Sequence, residues 1–247
     1  MIDEILVNAA DNFQRDRSMN MIKVDINQEE NYISVWNNGK GIPIQIHKGE
    51  GIYVPEMIFG HLLTSSNYND KEQKVTGGRN GFGAKLANIF STEFVLETGN
   101  TQDEKHYIQT FRNNMSVKEE PIISRNAQRL EFTKVAFRPD LAKFHMTHLD
   151  ADTVALLTKR VFDLAGVTDA KVSVKLNGKL IQCKNFVQYT DYYLQSNEEH
   201  KELPKIVKVK SDRWQVICSL SDGAFQQVSF VNSICTTKGG THVDYIA

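Results

Sequence analysis

The sequence feature that most constrains the fold is the N-terminal stretch "IDEILVNAADNF", whose apolar residues recur at helical spacing. At about 100° per residue, apolar and polar side chains separate onto two sides of one helix. The apolar side consists of Ile2, Ile5, Leu6, Ala9, Ala10 and Phe13. The polar side consists of Glu4, Asn8, Asp11 and Asn12. The stretch therefore predicts a helix that buries one side and carries acid and amide groups on the other.

The polar side of this helix has two interpretations. An ordinary solvated surface is the simpler one, but this side carries no Lys or Arg, and asparagine is a poor helix former. An Asn side chain offers a neutral oxygen to a hard cation such as Mg²⁺ and an amide to the edge of a base. A Glu one turn away can accept a proton from water. The pattern therefore favours a nucleotide site.

Length and composition exclude several classes of protein. The 247 residues allow one large domain or two modest ones, and a net charge of -1 argues against a surface that tracks phosphates throughout. Cys183, Cys218 and Cys235 lack disulfide or metal-ligand spacing, which predicts reduced, buried thiols. No apolar run approaches the roughly 18 residues that span a bilayer, and no leader pattern is present. We expect a soluble, intracellular protein.

Changes of pattern divide the chain into helices, strands and turns. The segments "MIKVDI" and "YISVWN" predict a β-hairpin, and Pro55 is expected in the first turn of a helix, "VPEMIFGHLL". The segments "TEFVLET", "HYIQTF" and "RLEFTKVAFRP" predict strands. Asp150 is predicted to cap a helix and Gly166 to end it. The "NG" of "AKVSVKLNGKLI" predicts a tight turn within a strand.

The sequence changes character near Cys183. One helix-like piece, "FVQYTDYYL", precedes the strand-like segments "IVKVK", "WQVICSL" and "AFQQVSFVNSI", which predict an antiparallel meander. Tyrosines at helical spacing in the first piece favour packing over a stacking platform for nucleic acid. We therefore predict one domain over residues 1–183 and the first part of another over residues 184–247. The last pattern stops abruptly, so we expect a piece of a longer protein.

The glycine-rich segment "GGRNGFGAK" is similar to two phosphate-binding loops and matches neither. Leu86 stands where the dinucleotide fingerprint needs its last glycine, and Ala84 stands where the Walker loop needs its lysine. Glycines still let a backbone approach phosphates, successive amides form an anion nest, and Lys85 adds a positive charge. Taken alone, the segment could equally be a plain flexible loop.

The order of these segments is more specific than any one of them. The acid-and-amide helix is followed by "WNNGKGIP", "LLTSSNY", "TGGRNGFGAK" and "FVNSICTTKGGTHVDY". In this order the chain resembles the GHKL ATPases and, within them, the ATPase region of eukaryotic type IIA DNA topoisomerases. The resemblance extends over essentially the whole chain.

The resemblance implies roles for individual residues. Glu4 would be the general base that polarises the attacking water, and Asn8 would coordinate the Mg²⁺ that bridges the ATP phosphates. Asn12 would contact the nucleotide from the same side of the helix. Asn37 would read the adenine amino group through its side-chain oxygen, and Thr133 would hold adenine through water. The other implied ATP ligands are Gly39 and Gly41 under the ring, Ser65, Ser66 and Asn67 on phosphate or ribose oxygens, and Gly78, Arg79, Asn80, Gly81, Phe82, Gly83, Ala84 and Lys85 around the triphosphate.

The resemblance also implies a fold and a function. The fold would be an α/β (α+β) sandwich of the GHKL type, a mixed sheet with helices on one face, followed by a partial transducer domain like ribosomal protein S5. The function would be the ATP-operated gate of a nuclear enzyme that acts as a homodimer on double-stranded DNA, with no membrane partner. Because the family's N-terminal strap and transducer lysine are absent from these residues, one alternative is a nucleotide-binding chain without turnover. Another is a different GHKL clamp, of the mismatch-repair or chaperone type.

Overall fold

The structure, a computed structural model, describes residues 1–61, 82–194, 207–211, 213–221 and 223–247. Its helices are α1 (Ile2–Arg15), α2 (Val54–Gly60), α3 (Gly83–Ile89), α4 (Ala151–Val167), α5 (Phe186–Leu194) and α6 (Thr241–Asp244). The first seven strands are β1 (Met21–Asn27), β2 (Tyr32–Asn37), β3 (Ser91–Asn100), β4 (Lys105–Arg112), β5 (Val117–Lys118), β6 (Ile122–Arg125) and β7 (Phe132–Pro139). The remaining strands are β8 (Ser173–Leu176), β9 (Lys179–Leu180), β10 (Val207–Lys210), β11 (Gln215–Cys218), β12 (Phe230–Val231) and β13 (Ile234–Cys235).

One large mixed sheet organises most of the described chain. Its strand order is β5-β4-β3-β7-β2-β1-β8-β9, and β6 also pairs with β4. The pairs are antiparallel except β1 with β8, which run parallel. The central strand β7 lies between β2 and β3, although it follows both in the sequence. The sheet therefore brings residues from three distant parts of the chain side by side.

Helices cover one face of this sheet. Along β1, Ile22, Val24 and Ile26 are buried and Lys23 and Asp25 are exposed, which is the period-2 pattern of a half-covered strand. Helices α1, α3 and α4 contact β2, β3 and β8 respectively. The apolar core lies between these two layers, and its largest fully buried side chains include Tyr107, Phe94, Phe111, Phe137 and Leu96.

Local sequence signals correctly predicted most of these elements. The hairpin of β1 and β2 is confirmed, as is the turn between β8 and β9, where Asn177 and Gly178 have φ angles of 47° and 78°. Pro55 lies in the first turn of α2, and Asp150 caps α4 by accepting a hydrogen bond from the Thr153 N–H. Tyr189 of α5 is buried, as the packing interpretation predicted.

The predicted helix end is correct to within one residue, since α4 ends at Val167. Gly166 is itself helical and has no positive φ, so it does not act as a terminal glycine. A Cβ atom at this position would lie 2.5 Å from Cγ of Tyr189, so the glycine permits the close approach of α5 instead.

The meander predicted after Cys183 is incorrect in part. Among the described residues, strands β10 and β11 pair only with each other, and β12 and β13 form a second, separate two-stranded sheet. Of the three free thiols, Cys183 is buried, Cys218 is exposed and Cys235 is partly exposed, so the burial expected of all three holds for one. Within the described residues, no helix is both long and apolar enough for a membrane crossing.

Candidate nucleotide site

The polar side of α1 divides into an exposed half and a buried half. Glu4 and Asn8, one turn apart, are exposed. Asp11 and Asn12 are only 6% and 8% exposed. Two side chains of the predicted site are therefore accessible to a ligand from solvent, whereas Asn12 lies in the interior.

The carboxylate of Glu4 lies directly against the backbone of Gly83, the first residue of α3. A Cβ atom built at Gly83 would overlap the Glu4 carboxylate, so a side chain at this position would displace that carboxylate. Helix α3 begins where the glycine-rich segment ends, and α1 contacts α3. The structure therefore brings together the predicted general base and the end of the predicted phosphate loop, which lie about 80 residues apart in the sequence.

Asn12 organises the turn that follows β2. Its Nδ2 atom donates to Oδ1 of Asn37 at 2.8 Å and to the carbonyl oxygen of Lys40 at 3.2 Å. The Gly39 N–H also donates to Oδ1 of Asn37, at 3.2 Å. These bonds fix the orientation of the Asn37 amide group and use both lone pairs of its oxygen.

A row of polar side chains crosses the sheet next to this turn. Asn37 on β2 is paired with Thr133 on β7, and Thr133 is paired with Thr98 on β3. The Nδ2 atom of Asn37 is 3.5 Å from the Thr133 carbonyl oxygen, and the two threonine hydroxyls are 3.3 Å apart. The Ile42 N–H donates to the Thr98 hydroxyl at 3.0 Å. The row connects the turn to three strands of the sheet.

The second glycine of the turn is held by residues that the sequence alone did not indicate. The Gly41 N–H donates to a carboxylate oxygen of Glu131 at 2.5 Å, and the other oxygen of Glu131 accepts from both the N–H and the hydroxyl of Thr101. Gly41 also packs on the backbone of Gly99 so closely that an added Cβ would overlap the Gly99 carbonyl oxygen. No local motif marks Thr98, Thr101 or Glu131, and the pairing of β3 with β7 brings together the segments that carry them.

Lys85 is deeply buried, with 1% of its surface exposed. Burial lowers the pKa of its ammonium group from 10.5 to about 8, because a low-dielectric surrounding disfavours the charged form. At neutral pH the Lys85 side chain is still mostly protonated, so it carries a positive charge that would attract an anionic ligand.

The predicted site is described only in part. Glu4, Asn8, Asn12, Asn37, Gly39, Gly41, Phe82, Gly83, Ala84, Lys85 and Thr133 belong to the described residues. Ser65, Ser66, Asn67, Gly78, Arg79, Asn80 and Gly81 lie outside them. Phe82 is exposed, whereas Ala84 is buried in the core.

Comparison with known proteins places these features in a family. Residues 1–138 match the family described as "Histidine kinase-, DNA gyrase B-, and HSP90-like ATPase", and residues 185–247 match the family described as "DNA gyrase B". The DNA topoisomerase 2 of Arabidopsis thaliana is 58% identical over 249 residues, and that of Drosophila melanogaster is 54% identical over 248 residues. Each alignment covers 100% of this chain and 17% of the relative, so the chain spans about a sixth of their length.

Solved structures confirm the fold. The ATPase region of Saccharomyces cerevisiae topoisomerase II is 54% identical with a TM-score of 0.93, covering 99% of this chain and 63% of that one. The ATPase and transducer domains of DNA topoisomerase II from Balamuthia mandrillaris are 47% identical with a TM-score of 0.89, covering 99% of this chain and 61% of that one. The predicted GHKL-type sandwich is therefore confirmed. The chain belongs to the histidine kinase-, DNA gyrase B- and HSP90-like ATPase family, and it has the fold of the ATPase region of topoisomerase II.

Proposed function

We propose that this chain binds ATP and positions it for hydrolysis as the ATP-operated gate of a type IIA DNA topoisomerase. Binding of ATP would bring two copies together around a DNA segment, and hydrolysis would reset them. The observation that carries the proposal is the contact between the Glu4 carboxylate and Gly83. An exposed acid next to Gly83, at the end of the predicted phosphate loop, supports this role for Glu4.

Glu4 acts in this proposal by orienting water. An exposed carboxylate at the start of α1 can accept a proton from a water molecule that approaches a terminal phosphate. Phosphoryl transfer needs mainly positioning and charge stabilisation. Glu4, beside Gly83, would supply the base, and Lys85 would supply the positive charge.

Asn37 is the proposed reader of adenine, and Asn12 supports it without touching the base. Both lone pairs of the Asn37 side-chain oxygen are occupied, by donors from Asn12 and Gly39. Recognition through this oxygen therefore requires one of the two bonds to open. The bond from Gly39 is longer, at 3.2 Å against 2.8 Å, and is the one expected to yield.

The donor set near α1 fits Mg²⁺ that arrives with the nucleotide. Among the described residues, no group of three or more His, Cys, Asp or Glu side chains could hold a metal ion by itself. Mg²⁺ usually takes only one or two protein oxygens and completes its octahedron with phosphate oxygens and water. Asn8, exposed and one turn from Glu4, would supply that oxygen. When bound, the ion would neutralise phosphate charge.

The wider role is inferred from relatives named DNA topoisomerase 2. We infer that the protein to which this chain belongs acts on double-stranded DNA. It would do so as a homodimeric gate in the nucleus. The chain spans 17% of those relatives, so strand passage would depend on residues outside it.

Calorimetric titration of the chain with ATP, with and without Mg²⁺, tests binding, and phosphate release tests turnover. We expect Glu4→Gln to keep the dissociation constant within about twofold and to abolish phosphate release, since the amide keeps the shape and loses the base. Glu29→Gln, at an exposed carboxylate in the turn between β1 and β2, is the matched control.

Three results would each decide a different point. No ATP binding by a folded chain would refute the proposal. Loss of binding in Glu4→Gln would make Glu4 structural. Binding without phosphate release in the unaltered chain would identify a nucleotide-binding module that does not turn over by itself.

A further inference from the structure

Arg160 connects two helices through one guanidinium group. It lies on α4, and its Nε and Nη2 atoms donate to Oδ2 of Asp3 on α1 at 3.2 Å and 3.0 Å. Its Nη1 atom donates to Oδ2 of Asp163 at 3.1 Å. The side chain of Arg160 is only 17% exposed. Because a guanidinium fork is rigid and planar, these bonds fix direction as well as distance.

Asp163 extends the connection to α5. Its side chain is 5% exposed, and its Oδ1 atom accepts a 2.6 Å hydrogen bond from the Tyr189 hydroxyl. Lys159 donates to both carboxylate oxygens, at 3.0 Å and 2.9 Å. A buried carboxylate with this many donors is fully satisfied, which is the condition under which a buried ionic network holds its geometry.

The hairpin of β12 and β13 borders the same guanidinium. A cavity of about 60 Å³ is lined by residues that include Asp3, Glu4, Arg160, Phe230 and Cys235. The Phe230 ring packs edge-on against Tyr189 with centroids 5.7 Å apart. Burial lowers the pKa of Arg160, but contacts with Cys235, Asp3 and Asp163 raise it above its ordinary value, so the group stays charged.

The first turn of α1 is held by its contacts with the rest of the fold. Met1, at the N-cap position, makes no side-chain capping bond, whereas Ile2 and Ile5 are buried in the core and Asp3 pairs with Arg160. Asp3 precedes Glu4 directly, so the ion pair acts on the turn that carries the Glu4 carboxylate. We propose that Arg160 is a positioning residue that fixes Glu4 relative to α5 and the β12–β13 hairpin. This inference rests on the catalytic role proposed for Glu4.

Amide hydrogen exchange on the nucleotide-free chain tests the proposal directly. The amides of residues 6–8 donate to the carbonyl oxygens of residues 2–4, in the first turn of α1. We expect Arg160→Met to speed their exchange at least about fivefold while the core of the sheet is unchanged. Arg160→Lys should recover part of the protection, because lysine keeps the charge but not the fork. Lys159→Met, which removes another donor to Asp163, is the matched control and should leave residues 6–8 unchanged.

A second variant covers the case in which Arg160→Met does not fold. Asp3 is half exposed, so Asp3→Asn should fold and should speed exchange at the same amides. Adding Asp3→Asn to Arg160→Met should change nothing further, since both remove one interaction. Unchanged exchange at residues 6–8 would overturn the proposal. So would a rise spread evenly over the chain, or no recovery with Arg160→Lys.

ATP titration of the same variants separates this inference from the proposed function. Neither Asp3 nor Arg160 is a proposed ATP ligand, so the dissociation constant should stay within about twofold of the unaltered chain. A chain that never binds ATP would refute the proposed function and leave the exchange result standing. A tenfold loss of ATP affinity in Arg160→Met would show that Arg160 shapes the binding pocket as a whole and would overturn its specific role in positioning Glu4.

Discussion

Replacing Lys85 by methionine should make the nucleotide-free chain more stable and its ATP binding weaker. Lys85 is 1% exposed, and burial lowers its pKa from 10.5 to about 8. A shift of roughly 2.5 pH units corresponds to about 3 kcal/mol of destabilisation of the charged form. Methionine keeps the unbranched stem and removes the charge. Since Lys85 also has an interaction of its own in the fold, about 3 kcal/mol is the upper limit of the gain.

The sign of the pH dependence follows from the direction of the shift. Below about pH 8 the lysine is charged in both the folded and the unfolded chain, so the burial penalty is present in full. Between about pH 8 and 10.5 the unfolded chain binds more protons, so the free energy of unfolding contributed by this group rises with pH. The advantage of Lys85→Met should therefore shrink across this window.

Urea unfolding followed by tryptophan fluorescence, repeated from pH 7 to pH 10.5, measures both effects. Lys184→Met, at an exposed lysine, is the control for the loss of a charge alone. ATP affinity should fall about tenfold to a hundredfold, because a charge-assisted bond worth about 1.5–3 kcal/mol is lost. Two results would refute the reasoning. One is a Lys85→Met chain that is less stable than the unaltered chain at pH 7. The other is a difference in the free energy of unfolding between the two chains that stays the same from pH 7 to pH 10.5.

Three further predictions use other parts of the molecule. Asn8→Ala should weaken ATP binding about tenfold with Mg²⁺ present and leave it unchanged in chelator; calorimetry that finds equal weakening would contradict the metal role. Gly41→Ala should lower the free energy of unfolding by about 2 kcal/mol or more in urea titration, because the new methyl group would meet the Gly99 backbone; an unchanged midpoint would contradict the packing. Glu56→Gln should lower the free energy of unfolding by about 1–3 kcal/mol, because Oε1 of buried Glu56 accepts a 2.6 Å hydrogen bond from Nζ of Lys118. Urea titration measures this loss, and equal stability of the two chains would show that the pair contributes nothing.

Elements defined by local chemistry could be predicted from the sequence. The Asn177–Gly178 turn needs two residues that tolerate positive φ, and the capping role of Asp150 needs only an acceptor at the start of a helix. The two-sided character of α1 could be predicted for the same reason, since its period is set by helical geometry alone.

Features that depend on distant parts of the chain could not be predicted in this way. Asn12 has the same helical phase as exposed Asn8, yet it is buried because the turn at Lys40 lies over it. The close packing of Tyr189 on Gly166 has no local signal in the sequence around the glycine. Thr98 joins the polar row only through the pairing of β3 with β7. In each case a partner far along the chain determines the outcome.

The position of β7 in the middle of the sheet has a consequence for synthesis of the protein. Asn37 and Thr98 belong to strands that leave the ribosome before β7, and these strands have no direct pairing with each other. They are joined only when residues 132–139 have been made and inserted between them. Non-local pairing of this kind forms late, because the loop must close before any contact stabilises it. A nascent chain that has not reached β7 therefore lacks the polar row beside the Asn37 turn, whatever the concentration of nucleotide around it.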